Sequence, residues 1–313
     1  MKKYVLQRLL QLLLVLLGVS FITYSLTYMS PSDPAEVRLL ATDIRPTEEA
    51  LEKSREEMGL DEPFLVQYRN WLSNMLTGNL GESYHYREPV IDTILKKLPL
   101  TFTLATTAFV MFIVCSFTLG ILSALYHNRI VDYVIRFLSF ASISLPGFWL
   151  GLMLLYIFAV KLHWVTVTYN GEWQNVLLPA FTLACPLIGK YTRLIRGEVL
   201  EQLYSDYVVG AHTNGISQWK IICFYILPNA IIQIIPLLGL SIAALLGGTV
   251  IIELIFSWQG LGVMALDAIT YRDYNLLQAY VLLMTVIYVS INFIVDIFVQ
   301  LLDPRVKRNE VMQ

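Results

Sequence analysis

Residues 206–228 read Asp-Tyr-Val-Val-Gly-Ala-His-Thr-Asn-Gly-Ile-Ser-Gln-Trp-Lys-Ile-Ile-Cys-Phe-Tyr-Ile-Leu-Pro, a polar island between two strongly apolar segments. Tyr204, Tyr207, Val208 and Ala211 recur at helical spacing, which predicts a short helix with one apolar face. Gly215 stands where a helix C-terminus needs a residue that tolerates positive φ. Ser217 is placed to cap a second short helix, anchored by Trp219, Ile222 and Ile226, and Pro228 restarts the chain into the next apolar run. A helix, a glycine turn and a helix lying flat at a membrane surface make a shape that another protein can grip. An ordinary amphipathic connector has the same spacing.

Composition says what kind of chain surrounds this island. Of 313 residues, 56% are hydrophobic and only 15% charged, and the mean hydropathy is positive. Too little polar surface remains to cover a soluble globule. A net charge of −2 gives no basic bias toward nucleic acid. Cys115, Cys185 and Cys223 lie far apart, and His85, His127, His163 and His212 lack ligand-like spacing, so neither a disulfide framework nor a metal site is expected. No Gly-x-x-x-x-Gly-Lys followed by Ser or Thr occurs, so any ATP hydrolysis belongs to another chain and no catalytic residue is assigned to this one.

Lys2, Lys3 and Arg8 precede an apolar run over 9–29, close to the ~20 residues that cross a bilayer. Ser30-Pro31-Ser32-Asp33-Pro34 follows in place of a cleavage site, which predicts an uncleaved first span. Residues 30–101 hold thirteen acidic and eight basic residues and form the substantial soluble segment. Thr47 is set to cap a helix that Gly59 stops, and Leu65, Tyr68, Trp71 and Leu72 share one face of a second. Five more spans are expected near 102–126, 134–160, 177–195, 229–252 and 276–302. Pro146 and Pro186 interrupt two of them, as packing kinks rather than ligand sites. With the N-terminus inside, the short inner segments carry twelve basic residues against Lys161 and Arg272 in the short outer loops. That asymmetry predicts both termini and the 206–228 island in the cytoplasm, and 30–101 outside.

A second patterned run, Glu-Leu-Ile-Phe-Ser-Trp-Gln-Gly-Leu-Gly at 253–262, is followed by Ala268-Ile269 and Arg272-Asp273-Tyr274. Phe256 and Trp258 suit an aromatic belt, and Gly260 and Gly262 allow a tight re-entrant bend. The run either lines an outer gate or anchors the chain at the interface. Asp296 is the one carboxylate that reads as lying well inside a span, placed to pair with Arg or Lys near its cytoplasmic end.

Gly215, with Ala211 before it and Leu227-Pro228 at fixed distance after it, resembles the EAA loop of ABC importer permeases, whose coupling helices dock on the ATPase. Asp206-Tyr207-Val208 resembles the dipeptide/oligopeptide/nickel branch. Val209 and Gly210 depart from its Glu and Ala, and His212 and Asn214 replace basic residues. The 253–274 run is similar to the same branch with Gln259 in place of Pro, and the likeness extends from the basic start to Leu302-Asp303-Pro304-Arg305. The resemblance implies an all-α membrane protein with six transmembrane helices, the type I ABC importer permease fold, and an extracytoplasmic helical insertion between spans 1 and 2. Its parts would be 1–29, the N-terminus and first span; 30–101, outside; 102–302, a five-helix core holding the coupling loop; and 303–313, a cytoplasmic tail.

It further implies that Asp206, Tyr207, Ala211, Gly215, Leu227 and Pro228 couple to the ATPase, while Glu253, Trp258, Gly260 and Gly262 line the outer gate and translocation path. The implied partners are a second homologous permease, two ATP-binding-cassette ATPase subunits that use ATP and Mg, an extracytoplasmic substrate-binding protein, and the lipid bilayer of a bacterial cytoplasmic membrane. This chain itself would bind no cofactor and no nucleic acid. Asp43-Ile-Arg-Pro-Thr-Glu-Glu and Gly171-Glu-Trp-Gln look closer to nickel permeases, so chelated nickel is the leading cargo here and short peptides the alternative. A proton-coupled carrier would need acids or histidines in several spans, and a membrane scaffold would need neither kinked helices nor a docking loop.

Overall fold

The computed structural model describes residues 2–41, 45–166 and 173–302; Asp43, Ile44, Gly171, Glu172 and the 303–313 tail lie outside the described residues. Among the described residues the chain folds into helices joined by loops, with no β-strand beyond the isolated Glu82–Pro89 bridge. α1 (Lys2–Tyr28), α2 (Pro34–Ala41), α3 (Glu48–Met58) and α4 (Phe64–Leu76) precede the long α5 (Val90–Leu125). α6 (Ile130–Ser144) and α7 (Gly147–Leu155) come next, then α8 (Leu177–Leu203), α9 (Asp206–Thr213), α10 (Gln218–Ile221) and α11 (Leu227–Ile255). α12 (Leu261–Thr270) and α13 (Tyr274–Leu302) complete the series. Contacts divide the chain into two units, Met1–Thr101 with Gln259–Ser290, and Phe102–Trp258 with Ile291–Gln313.

In the first unit, α3 forms as its local chemistry dictates. Thr47 Oγ1 accepts the Ala50 N–H at 3.3 Å, and Gly59 at φ +65° closes the other end through bonds to the Glu56 and Arg55 carbonyls. α4 packs on the end of α1 through aromatic edges: Phe21 lies 5.7 Å from Phe64 and 5.4 Å from Tyr68, and Tyr24 lies 5.1 Å from Trp71. Such pairs contribute about 0.5–1.5 kcal/mol each beyond burial. Leu65, expected on this face, is exposed; the packed stripe is Phe64, Gln67, Tyr68 and Trp71, an i, i+3, i+4, i+7 series. Gln67 Nε2 donates to the Leu60 and Glu62 carbonyls at 2.8 and 2.7 Å and so holds the α3–α4 corner. A separate core joins Val90 and Ile94 of α5 to Leu261, Met264 and Ala268 of α12 and Leu276 and Ala279 of α13.

In the second unit α8 is central, with α6, α7 and α11 packed on it. Several of its buried positions are small or polar, Ala180, Thr182, Ala184, Gly189 and Thr192, set among the larger Ile188, Tyr191, Ile195 and Val199. Small residues let helix backbones approach where lipid supplies no hydrophobic drive for association. At Gly189 a Cβ would fall on the Ser139 carbonyl oxygen and the Ser142 hydroxyl of α6. At Gly120 of α5 a Cβ would lie 2.8 Å from the Ile195 side chain. Tyr191, fully buried, donates its hydroxyl to the Leu237 carbonyl and meets Ser241 Oγ at 2.5 Å, which joins α8 to α11.

Among the described residues four helical stretches are long and apolar enough to cross a membrane: Leu10–Tyr28, Val90–Leu125, Gln218–Gly239 and Tyr274–Ile297. The continuous span expected at 134–160 is instead a broken pair, α6 and α7, bent by 103° at Leu145-Pro146. Leu145 is extended at φ −82°, ψ 130°, the conformation that a following proline favours, and Gly147 gives the helix no reason to resume in line. Pro186 by contrast stays inside α8, followed by the helix-former Leu187. α8 is the helix that keeps the apolar count below the expected six. Its 27 residues cover about 40 Å, but it carries Lys190, Arg193 and Arg196 rather than a uniform apolar coat, with Lys190 and Arg193 exposed.

Two glycines on α8 separate packing from propensity. Gly189→Ala is expected to lower stability by about 1–3 kcal/mol through overpacking against α6. Gly197→Ala, with nothing within 4 Å of its Cβ position, is expected to be neutral or to stabilise by up to about 1 kcal/mol. Thermal unfolding of the detergent-solubilised chain, followed by fluorescence, measures both; an unaltered Gly189→Ala midpoint would contradict the close approach.

Candidate functional site

α9 begins after Ser205 and places Asp206 in its first turn, where a carboxylate complements the helix dipole. Val208 and Ala211 are buried, as their spacing requires, whereas Tyr204 is 76% exposed and Tyr207 faces outward with it. Gly215, at φ +73°, closes the helix: its N–H donates to His212 O at 3.0 Å and the Ile216 N–H donates to Ala211 O at 3.2 Å. These are the two bonds of a Schellman closure. No atom lies within 4 Å of a Cβ built there, so backbone conformation rather than space selects glycine. Ser217 has N-cap geometry at φ −64°, ψ 146°, without a side-chain cap bond.

The second helix differs from the expectation. α10 passes through a wide, π-type turn at Ile222–Ile226 straight into α11, so Pro228 lies in a helical first turn and does not restart the chain. A proline there lacks an N–H and crowds the carbonyl four residues back; widening the preceding turn accommodates both. Ile221, Ile222 and Ile226 fill the interior, but Trp219, expected as an anchor, is 73% exposed, and Phe224 is 74% exposed. Both lie off the stripe that Ile222 and Ile226 define.

In the run that begins at Glu253, the structure moves the bend. Glu253 and Trp258 are buried, and the Trp258 N–H donates to Glu253 O at 2.8 Å while Ser257, at φ +51°, supplies the left-handed residue. Gly260 sits at φ −89°, ψ −167°, ordinary extended backbone before α12, and Gly262 is buried within α12. The glycines therefore do not make the turn; a serine does, at a cost of about 1–2 kcal/mol relative to glycine. Glu253 and Trp258 belong to the second unit, Gly260 and Gly262 to the first. Gln259, in the place of proline, accepts from Lys97 Nζ at 3.3 Å.

The Arg272-Asp273-Tyr274 motif joins the motifs of the 79–90 segment. Buried Asp273 accepts from Ser83 Oγ at 2.6 Å and the His85 N–H at 3.1 Å, and caps α13 through the Leu276 N–H at 3.2 Å. Tyr86 donates to Asp267 Oδ2 at 2.6 Å. Burial, then the charge of Asp273, pushes the Tyr84 phenol up to about 12; burial and its bond to Asp267 likewise raise Tyr86. Arg272 itself holds φ +55° at the end of α12.

Sequence reasoning misses one site altogether. Asp132, fully buried in the first turn of α6, receives both arms of Arg196 from α8, Nε at 2.7 Å and Nη2 at 2.8 Å. Ser123 Oγ of α5 donates at 2.5 Å and the Asn128 N–H at 3.1 Å, so every side of the carboxylate is occupied. In the sequence Arg136 and Arg196 count only as topology charges, and the acid that stands out is Asp296, which lies half-buried late in α13. The available signal was an acid set among Arg129, Arg136 and Arg196 at a helix start. Among the described residues no group of three or more His, Cys, Asp or Glu is arranged to hold a metal ion.

Comparison with known proteins agrees with this geometry. The binding-protein-dependent transport system inner membrane component family matches residues 116–308, and the N-terminal family of the same membrane components matches residues 1–105. The probable D,D-dipeptide transport system permease protein DdpB of Escherichia coli is 35% identical, with 96% of each chain covered. The glutathione transport system permease protein GsiC of Escherichia coli is 33% identical over 98% of this chain and 99% of its own. An inward-facing structure of the MetNI methionine ABC transporter superposes with a TM-score of 0.56 at 14% identity, covering 67% of this chain and 96% of its own, a likeness of fold alone. The chain belongs to the binding-protein-dependent transport system inner membrane components. It is thus a non-catalytic, all-helical permease component of an ABC importer. These relatives are named for peptide-type substrates, which favours the short-peptide alternative; nickel finds no support among them.

The buried pair yields a measurable expectation. Asp132→Asn leaves the Arg196 charge without its partner and is expected to destabilise the chain by about 3–5 kcal/mol. Asp132→Leu combined with Arg196→Met should recover most of that loss, because no charge then remains buried. Chemical denaturation in micelles reads both, and equal losses in single and double variants would refute the pairing.

Proposed function

We propose that this chain forms, with a second permease and two ATPase subunits, the membrane path of an ATP-driven importer for short peptides, and that residues 206–228 are where an ATPase subunit takes hold. The observation that carries the reading is the outward aromatic surface on that element. Tyr204, Trp219 and Phe224 are exposed while Val208, Ala211, Ile221 and Ile226 are consumed inside. Large exposed aromatics beside polar residues such as Asp206, His212, Asn214 and Lys220 suit an interface whose other half is a separate protein. Asp206 and Tyr207 open the element, Ala211 and Gly215 fix its turn, and Leu227 and Pro228 lead it into α11. A push on this surface reaches α8 and α11 directly, since both are continuous with it in the chain. Glu253, Trp258, Gly260 and Gly262 are assigned to the outer end of the path, where an extracytoplasmic binding protein delivers the peptide. ATP and Mg are used by the partner subunits and this chain carries no cofactor. The family match and the peptide-named relatives support the substrate class.

Trp219→Ala tests the coupling role without disturbing the fold. Because the side chain is exposed, stability should change by no more than about 0.5 kcal/mol. Co-purification of the ATPase subunits should fall at least about tenfold, and uptake of labelled dipeptide with it. Wild-type ATPase retention and uptake would reduce the element to a connector.

The orientation is tested by labelling. The twelve-to-two bias of basic residues supports a cytoplasmic 206–228 element and an extracytoplasmic 30–101 segment. With Cys115, Cys185 and Cys223 replaced by Ala, a cysteine at exposed Lys53 should react with an impermeant maleimide in intact cells. One at exposed Ser217 should react only after permeabilisation, and the reverse pattern would invert the topology. Ser54, next to Lys53, is buried and would give no signal on either side.

A further inference from the structure

Beside α6 and α8 lies a cavity of about 1130 Å³ whose wall is divided by chemistry. Arg136, Lys190 and Arg193 supply positive charge, and Phe137, Phe140 and Ile143 supply an apolar, largely exposed surface. We propose that this cavity binds an anionic phospholipid, with the phosphate held by Lys190 and Arg193 and the acyl chains along Phe140 and Ile143.

The cavity's cations outnumber the acids paired with them among the described residues. Asp132 has both of its oxygens engaged by Arg196. Arg136 reaches it only at 4.0 Å. Among the described residues Lys190 has the ring of Tyr191 at 5.6 Å as its contact, and Arg193 has no acidic partner. Cations gathered in a cavity with apolar walls repel one another and attract an anion from outside.

Depth argues for a lipid rather than a small ion. The Asp132–Arg196 bond sets α8 at Arg196 level with the first turn of α6. From there Arg193 lies about 4.5 Å and Lys190 about 9 Å farther along α8, and Arg136 about 6 Å along α6. The cations thus descend from the helix end toward Phe140 and Ile143, about 12 and 16 Å along α6, with Phe137 between Arg136 and Lys190. That order suits a ligand with its negative group at the surface and hydrocarbon beneath, and basic pockets between membrane helices on the cytoplasmic side bind such headgroups. A zwitterionic lipid brings its own cation and gains less. The inference does not depend on what the transporter carries.

Native mass spectrometry of the purified full chain, titrated with phosphatidylglycerol or with phosphatidylcholine of the same acyl length, tests it. Phosphatidylglycerol adducts should form at a concentration at least about tenfold lower than phosphatidylcholine adducts. Lys190→Ala with Arg193→Ala should weaken the first about thirtyfold, equivalent to about 2 kcal/mol at about 1 kcal/mol per cation, and leave the second unchanged. Lys53→Ala with Arg69→Ala, which removes two charges elsewhere, should alter neither. Equal affinity for the two lipids, or phosphatidylglycerol binding that survives loss of Lys190 and Arg193, would overturn the proposal. Displacement of phosphatidylglycerol by millimolar inorganic phosphate or by a free dipeptide would equally overturn it, in favour of a small-anion site.

Discussion

The second unit depends on how closely α6 can approach α8. Gly189 removes the side chain that would strike the Ser139 carbonyl oxygen, and the Asp132–Arg196 pair fixes the two helices in register. In hydrocarbon, helices gain little from hiding apolar surface against one another, so backbone proximity and a satisfied polar pair must set the geometry. The pair is bidentate and completed by Ser123 and the Asn128 N–H, and so escapes the cost of an isolated buried charge. Ser123 also brings the end of α5 to the same point. Three helices thus share one polar lock, and the basic residues of α8 other than Arg196 lie exposed beside it.

Helix ends are handled by one device used with unlike residues. α3 closes on Gly59, α9 on Gly215, α11 on Ser257 and α12 on Arg272, each at positive φ, each returning paired N–H bonds to the last turn. The two glycine cases are unstrained. Ser257 and Arg272 hold a conformation that L residues disfavour by about 1–2 kcal/mol. Arg272 is kept there by its neighbour, since Asp273 caps α13 and receives Ser83 and His85. The conspicuous motifs of the first unit are therefore chiefly structural: 79–90 and 267–275 fold against each other through carboxylates that accept from hydroxyls and backbone.

Local chemistry was legible in the sequence where one residue type can do the job. Thr47 and Gly59 bound α3 as expected, and Gly215 reads as a left-handed turn because its neighbours leave no other stop. The turn near Trp258 was misplaced because glycine draws the eye and a serine at positive φ leaves no trace in composition. Two prolines of like appearance diverge: Pro146 breaks its helix with Gly147 behind it, while Pro186 is carried by a helix packed on three sides. Spacing assigns Trp219 inward, but spacing gives the period of a stripe and not its phase; Ile221, Ile222 and Ile226 set that phase. The Asp132–Arg196 lock joins residues 64 positions apart, and no local pattern announces it.

The wide turn at Ile222–Ile226 acts as a clutch plate of fixed angle. It inserts one residue beyond α-helical pitch between the aromatic surface and α11. One residue rotates a helix by about 100°. The bearing of Trp219 relative to the faces of α11 is therefore set by a single backbone insertion, independently of every side chain on either element. Removing one residue from this turn would preserve composition, hydropathy and both helices, yet turn the outward surface roughly a quarter-circle away from whatever it meets.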